Sequence, residues 1–339
     1  MRNLALPTLL LLLLIGAAAL PAQDAVFSQF YAAPLRLNPA LAGVGSAPRV
    51  TLNYRSQHTT YPSAFVTMAA GYEQPIEGTN STIGLRLATD RQLEGTYTNT
   101  DLAAIYVYEV RLSRSGAYAR LGLSAGTFGS RLDYDRLVFG DIIDPLNGAD
   151  GQTREALAST TKTDFDFGAG VLFYMGNAYG GVAVEHLNRP NESLIELNEN
   201  LYAGRPQRLT IHGGAQYSVS QFGNPRNPVY VAPNFLFVGQ AEFKQLNLGS
   251  YFGYGDYALG VWYRHAFENP DGFIGAVSFR KDVVRIGISY DAVYSGIRTL
   301  PGGVGSTLEV SLGIDFGDSK KLQQRRWRDR FNDCLGMFR

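Results

Sequence analysis

The sequence has little cysteine, no imbalance of charge and few histidines. Its only cysteine, Cys334, lies near the C-terminal end, so it forms no disulfide within the chain and cannot be lipidated behind a leader. The 30 lysines and arginines balance the 30 aspartates and glutamates, so no global charge indicates a nucleic-acid partner. The histidines show no metal-ligand spacing, and they stand at His58, His186, His212 and His265. We therefore expect no enzyme and no cofactor.

Long apolar runs are absent beyond the first part of the chain. Arg2 precedes an apolar stretch from Leu4 to Leu20, and a small residue, Ala22, stands before Gln23. This pattern predicts a signal peptide over residues 1–22, with an uncleaved membrane anchor as the alternative. No later stretch approaches the roughly 18 consecutive apolar residues of a spanning helix. Helical membrane folds are thereby excluded.

What the sequence does contain is tyrosine, phenylalanine and glycine, in segments where apolar and polar residues alternate. In the last such segment Leu308, Val310 and Leu312 alternate with Glu309 and Ser311. Strict alternation is typical of a β-strand with one apolar face. Fourteen such segments are predicted, at residues 49–57, 63–73, 81–89, 96–112, 118–128, 163–174, 179–186, 208–220, 229–238, 242–252, 256–266, 272–280, 284–291 and 307–316.

The number and spacing of these segments predict an all-β fold, an antiparallel transmembrane β-barrel of outer-membrane type with about 14 strands. Closure with both chain ends on the periplasmic side requires an even number of strands. Long connections (129–162, 187–207, 292–306) alternate with tight ones as expected of external loops and periplasmic turns. Two connections do not fit: the external turn near Gly239 is very short, and the periplasmic linker 221–228 is comparatively long. A soluble sandwich or propeller is the alternative, but no blade-length repeat supports it.

The segment before the first strand does not alternate. It contains Pro34 and Pro39, so it is not expected to be a barrel strand. We predict that it packs inside the lumen or against the periplasmic mouth, and a disordered connection is the alternative. The predicted organisation is a signal peptide at 1–22, an N-terminal periplasmic or lumen-facing segment at 23–47, the outer-membrane barrel at 48–316 and a basic periplasmic tail at 317–339.

Several motifs carry a resemblance to a known family. The mature N-terminus contains Phe27-Ser-Gln-Phe-Tyr31 and Leu37-Asn-Pro-Ala-Leu-Ala-Gly43, followed by Asn53-Tyr-Arg-Ser-Gln57. Further matches are His186 to Ser193 and Gly260-Val-Trp-Tyr-Arg264. The chain resembles the PorP/SprF family of type IX secretion system outer-membrane proteins of Bacteroidetes, over essentially its whole mature length.

The resemblance implies a function in protein secretion at the outer membrane. Its implied partners are type IX cargo proteins, such as large gliding adhesins, together with other type IX components and outer-membrane lipid. A peptidoglycan-associated periplasmic protein is a further partner to be expected, and nucleic acid is not. Two alternatives stay open: a porin for small-solute diffusion, and a structural anchor coupled to peptidoglycan-bound proteins.

Candidate contact residues lie in three parts of the chain. Those expected to line the lumen or contact a partner are Phe27, Phe30, Tyr31, Pro34, Leu37, Asn38, Pro39, Tyr54, Arg55, Arg264, Arg326 and Trp327. A charge at bilayer depth must face the lumen or be paired, which predicts a lumen network that includes Glu309. Arg326 and Trp327 belong to the basic tail, which either docks on a periplasmic partner or is solvated. The acidic loop 131–162 lacks the spacing of a calcium loop, so a solvated loop is favoured over a calcium site.

Overall fold

The computed structural model describes residues 23–45, 47–58, 65–144, 148–149, 153, 160–194, 204–219, 229–267, 271–293, 306–316 and 338. These residues form a closed barrel of fourteen antiparallel strands. The strands are β1 (Arg49–Gln57), β2 (Phe65–Pro75), β3 (Ser81–Gln92), β4 (Tyr97–Arg111), β5 (Ala117–Leu132), β6 (Thr161–Met175), β7 (Ala178–Glu185), β8 (Arg208–Ala215), β9 (Val229–Gln240), β10 (Phe243–Tyr254), β11 (Tyr257–Ala266), β12 (Gly272–Lys281), β13 (Val284–Val293) and β14 (Ser306–Asp315).

The barrel closes because its first and last strands pair. Arg49 of β1 lies opposite Asp315 of β14, and each strand between them pairs with its neighbours along the chain. A two-residue strand, Tyr217–Ser218, continues β8 along β9 beyond Gln216. Closure pairs every strand on both sides, as a lipid environment requires. The start of β6 extends past its ladder with β7, and there Leu187 and Asn188 hydrogen-bond with the backbone of Phe165 and Phe167.

Side chains alternate between an outer face and the lumen. Along β14, Leu308 and Val310 are exposed, whereas Glu309 and Ser311 are buried inside. The outer face carries exposed apolar side chains around the barrel, among them Leu52, Leu85, Tyr106, Leu123, Phe173, Leu248, Val261 and Ile288. Such a surface is typical of a barrel whose outer wall contacts lipid.

The two ends of the barrel differ in their connections. We call the end at which β1 begins and β14 ends the terminal rim, and the opposite end the loop rim. Tight turns join β6 to β7, β10 to β11 and β12 to β13 at the terminal rim, with positive φ angles at Gly176, Gly255 and Asp282. The loop rim carries the longest connections, although the connection from β8 to β9 at the terminal rim, residues 216–228, is also long. The loop-rim connections contain short 3-10 turns at Leu93–Gly95, Tyr134–Arg136 and Gly140–Ile142 and a two-residue ladder between Ile143–Asp144 and Gly148–Ala149.

The predicted fourteen-stranded barrel is confirmed, with differences at strand ends. The short connection near Gly239 is a tight turn after Gln240, in which Ala241 adopts a φ of 50°. Two strands extend further toward the loop rim than predicted, β3 to Gln92 and β5 to Leu132. Polar residues on both faces obscure the alternation there, but the ladder continues because it needs only backbone groups. Among the described residues, no helix is long and apolar enough to span a membrane.

Candidate functional site: the occupied lumen

The N-terminal segment runs through the lumen from one rim to the other. Asp24 lies at the loop rim, where its backbone N–H donates to Gln240 Oε1 at 2.8 Å. At the other end, Gly43 packs on Thr82, close to the terminal rim, and the chain then enters β1. We call residues 24–45 the plug. Most of its side chains are buried, so it fills the barrel rather than crossing a water-filled space.

The plug is folded into three short helical turns. They span Phe30–Ala32, Pro34–Leu37 and Pro39–Leu41, and a proline begins the second and third. Proline suits the first position of a helical turn because that N–H has no partner within the turn. Asn38 caps the third turn, since its side-chain oxygen accepts from the N–H of Ala40 at 2.8 Å. The motif Leu37-Asn-Pro-Ala therefore forms a capped helical turn.

One sector of the lumen wall is apolar. It is formed by buried side chains of β6, β7 and β9 to β12, namely Leu172, Tyr179, Leu236, Val238, Tyr251, Trp262 and Ile274. Phe30 and Tyr31 of the plug pack here: the Tyr31 ring lies 4.6 Å from the Tyr251 ring, edge to face, and 6.0 Å from the Trp262 ring, stacked. Trp262 is itself fixed by a 2.7 Å hydrogen bond from Nε1 to Asn234. Aromatic contacts of this kind give a specific seat for the two rings.

Other strands of the wall bind the plug through charged groups that contact its backbone. Glu309 accepts hydrogen bonds from the N–H groups of Ser28 and Gln29, both at 2.8 Å, and lies 3.2 Å from Arg55. Because the plug is not part of the ladder, its backbone donors need such partners. A carboxylate is a strong acceptor, so one side chain satisfies two of them.

Three wall arginines complement this by donating to carbonyl groups of the plug. Arg86 donates to Leu35 O at 3.0 Å, Arg208 donates to Arg36 O at 2.6 Å, and Arg120 donates to Ala42 O. Arg86 is in turn paired with Asp101 and Glu185, and Arg208 with Glu185. These arginines are buried, and the paired carboxylates offset the cost of burying their charge. Side chains of the wall therefore supply acceptors for N–H groups of the plug and donors for its carbonyl groups.

Three glycines of the wall allow the third turn of the plug to approach it closely. Gly122 of β5 lies opposite Gly170 of β6, and Gly181 of β7 also faces the plug, since a Cβ on it would lie 3.0 Å from Asn38 Nδ2. A Cβ on Gly122 would lie 2.4 Å from the backbone N of Ala40, and one on Gly170 would lie 2.0 Å from Asn38 Oδ1. No side chain fits at these positions unless the plug moves, so the three glycines form a shelf on which its third turn rests.

At the loop rim a cluster of charges holds the start of the plug. The Asp24 carboxylate accepts from Arg205 Nε at 3.0 Å and Nη2 at 2.5 Å, and lies 2.8 Å from His186 Nε2 and 3.7 Å from Arg208. We call these four residues the rim clasp. Burial alone would raise the pKa of Asp24, but Arg205 and His186 outweigh it and hold that pKa well below its ordinary value.

His186 is the titratable cation of the rim clasp. Its Nδ1 lies 3.0 Å from the Asp166 carboxylate, so the ring stands between two acidic groups. Burial disfavours the charged imidazolium, but Asp24 and Asp166 together outweigh burial and raise the pKa of His186 to about 9. The ring is therefore charged at neutral pH.

Most residues of the predicted set lie in the lumen. Seven are buried in the plug: Phe27, Phe30, Tyr31, Pro34, Leu37, Asn38 and Pro39. Arg55 and Arg264 face the lumen from the wall, where they pair with Glu309 and Asp291. Arg326 and Trp327 lie outside the described residues.

The prediction of a lumen contact is wrong for Tyr54. Its side chain is 40% exposed on the outer face beside Leu52, whereas the adjacent Arg55 is 6% exposed and faces inward. Neighbouring residues of a strand point to opposite sides, so Tyr54 and Arg55 cannot both line the lumen. Phe338 also departs from expectation, because it lies inside the lumen and not with a wholly periplasmic tail.

Sequence reasoning missed several residues of the site. Arg86 carried a usable signal, since it stands between Leu85 and Leu87 in an alternating strand and must therefore face inward. No such signal exists for Asp24 and Arg205, because both lie outside strands and no alternation shows which way they point. In the described part of the chain no group of three or more His, Cys, Asp or Glu residues could hold a metal ion. Part of the acidic loop weighed as a calcium site, 145–147 and 150–152 included, lies outside the described residues.

Comparison with known proteins identifies one matching family. The family model described as type IX secretion system membrane protein PorP/SprF matches residues 19–314. No curated protein matches the chain. Among solved structures, the outer-membrane protein Omp33 of Acinetobacter baumannii is similar with a TM-score of 0.44 and 8% identity, covering 80% of this chain and 98% of that one. The KdgM porin gives a TM-score of 0.35 at 8% identity, covering 79% of this chain and 99% of its own.

Proposed function

Since the chain belongs to the PorP/SprF family of type IX secretion system membrane proteins, we propose that it assists the export or cell-surface anchoring of large cargo proteins such as adhesins. It does so at the outer membrane through protein contacts and without chemistry of its own. The observation that carries this proposal is the occupied lumen. An apolar wall sector around Trp262, filled by Phe30 and Tyr31, is a seat for protein and not the lining of an aqueous channel.

The occupied lumen directs cargo contact to the rims. While the plug is seated, a folded or extended cargo chain has no route through the barrel. The loop rim offers apolar side chains beyond the strand ends, with Leu93 and Val138 both 62% exposed. Exposed apolar residues outside the lipid-facing wall favour contact with another protein. We therefore assign cargo contact to the loop rim, and a peptidoglycan-associated partner to the opposite, periplasmic side.

The position of Asp24 supports removal of the leader. Residues 1–22 directly precede Gln23 in the sequence, and Asp24 lies at the loop rim, which faces the cell exterior if the barrel begins and ends on the periplasmic side. A leader still anchored in the inner membrane could not let Asp24 reach the rim clasp across the whole lumen. Cleavage before Gln23 frees this end to thread into the barrel.

The proposal is tested by comparing surface-attached and secreted proteins, by mass spectrometry, in the native bacterium with and without this gene. We expect the deletion strain to lose one or a few large proteins bearing type IX signals. Wild-type protein restores them, but the double variant Leu93→Asp, Val138→Asp does not. Thr160→Asp, which adds an acidic group at the same rim without removing an apolar side chain, is the matched control and restores them. An unchanged set of proteins in the deletion strain contradicts the proposal.

A diffusion porin is the second candidate, and conductance distinguishes the two. The plug predicts little steady conductance for the wild-type protein in planar bilayers. A large, steady open conductance would favour the porin.

A further inference from the structure

Two arginines lie in one row on the outer face of the barrel at the loop rim. Arg91 of β3 pairs in the ladder with Thr98 of β4, and Thr98 pairs with Arg131 of β5. Strand alternation points all three side chains outward, since the adjacent Asn99 and Ser130 are buried inside, and both arginines are exposed. One strand separates the arginines, so their Cβ atoms are about 10 Å apart and both guanidinium groups can reach a group placed over Thr98.

The polarity of the outer face changes in steps from this row toward the middle of the barrel. The next outward row contains Thr89, Thr100, Gly129 and Thr163, and the row after it contains Leu87, Leu102, Thr127 and Phe165. Four residues along a strand separate the arginines from the first apolar side chains, which is about 13 Å. With the usual tilt of barrel strands this is about 10 Å along the membrane normal, which places the arginines at the level of the lipid headgroups.

The outward charge of these strands is of one sign. In β3 to β6, all of which the structure describes, Arg91 and Arg131 are the only charged residues at outward positions. Acidic residues at the same end of these strands face the lumen, where Asp90 accepts from Thr67, Asp101 pairs with Arg86, and Asp166 pairs with His186.

In the described part of the chain neither outward arginine forms an ion pair, whereas Arg136, in the turn that follows β5, is paired with Asp133. Two cations without an acidic partner, at headgroup depth, are suited to an anionic group of the membrane.

We propose that Arg91 and Arg131 bind the phosphate group of a membrane lipid, whose acyl chains lie along Leu87, Leu102 and Phe165 below them. The planar donors of two guanidinium groups match the oxygens of a phosphate, which lies between them over Thr98. A lipid phosphate is favoured over the free ion because the arginines continue directly into the lipid-facing wall. The inference rests on the outer-membrane barrel and not on the proposed function in secretion.

Native mass spectrometry of the purified full-length protein in detergent tests this site. The probe is dioleoyl phosphatidic acid, and dioleoylglycerol is its match without the phosphate. We expect the wild type to retain phosphatidic acid and to release dioleoylglycerol. The double variant Arg91→Gln, Arg131→Gln should bind phosphatidic acid about 30-fold less tightly, because two cations near an anionic headgroup are lost.

The matched control is Arg114→Gln, Lys281→Gln, which removes two exposed cations from the terminal rim and should bind the probe as the wild type does. The heat-dependent shift of each variant in gel electrophoresis confirms that the barrel is folded. Unchanged binding in Arg91→Gln, Arg131→Gln would overturn the proposal, as would an equal loss in the control or equal retention of the two lipids. Displacement of the lipid by inorganic phosphate at the same concentration would identify a site for the free ion and overturn the assignment to a lipid.

Discussion

Replacing Asp24 by alanine tests whether the rim clasp holds the plug in the lumen. The carboxylate accepts two hydrogen bonds from Arg205, lies 2.8 Å from His186 and is within 3.7 Å of Arg208. Its removal leaves three buried cationic groups short of one partner each. The plug loses its charged contacts at the loop rim. Among the contacts there that the structure describes, it keeps only the hydrogen bond from the backbone N–H of residue 24 to Gln240, so the equilibrium shifts toward a state in which the plug has left the lumen.

The size of this shift depends on the ion-pair partners that the three cations keep when Asp24 is replaced. Each keeps one carboxylate: Glu192 for Arg205, Glu185 for Arg208 and Asp166 for His186. Breaking a buried pair commonly costs about 3–5 kcal/mol, and the retained partners favour the lower end. A loss of about 3 kcal/mol raises the population of the unseated plug roughly 100-fold, because about 1.4 kcal/mol corresponds to a factor of ten.

Trypsin cleavage at Arg36 measures that population, since Arg36 is the only lysine or arginine between Gln23 and Arg49. In the seated plug it is paired with Asp101 at 2.8 Å inside the barrel, where a protease cannot reach it. The cleavage rate follows the open population when opening is fast relative to cleavage. We expect a rate about 100-fold higher in Asp24→Ala than in the wild type.

The matched control for this experiment is Asp256→Ala, which removes an exposed acidic side chain from a turn at the terminal rim. Its cleavage rate at Arg36 should equal that of the wild type. A change of less than about threefold in Asp24→Ala, with the barrel still folded, would show that the rim clasp does not hold the plug.

Three further predictions follow from the lumen. Gly122→Ala drives a Cβ into the backbone of Ala40 and should raise plug release, measured by the same cleavage, whereas Gly275→Ala has open space around it and should not. The charged form of His186 stabilises the seated plug. This contribution is fully present below about pH 6.5, the pKa of an ordinary histidine, and is lost as the pH rises through the pKa of about 9 in the folded protein. Bilayer conductance should therefore rise between pH 8 and 10 in the wild type but not in His186→Gln. Arg86→Met takes one ion-pair partner from each of Asp101 and Glu185, which retain Arg36 and Arg208; it costs about 3 kcal/mol and should lower the melting temperature of the barrel.

The strands were predictable from the sequence because alternation is a local signal. Lipid on one side and the lumen on the other impose opposite chemistry on adjacent residues, as Leu308 and Glu309 illustrate. The partners across the lumen were not predictable in the same way. Ser28 meets Glu309 across 281 residues of sequence, and Arg205 meets Asp24 across 181. Such contacts depend on the register of a closed barrel, which no local pattern specifies.

The apolar sector of the lumen did leave a signal, in strands that are apolar on both faces. In β9, the outward Phe235 is followed by the inward Leu236, and in β11 the outward Val261 is followed by the inward Trp262. A water-filled lumen would not select large apolar side chains at inward positions, because their exposure to water is unfavourable. Strands with two apolar faces therefore indicate where a protein segment covers the wall. Applied to this chain, that criterion selects the strands on which Phe30 and Tyr31 pack, and it distinguishes an occupied barrel from an open one.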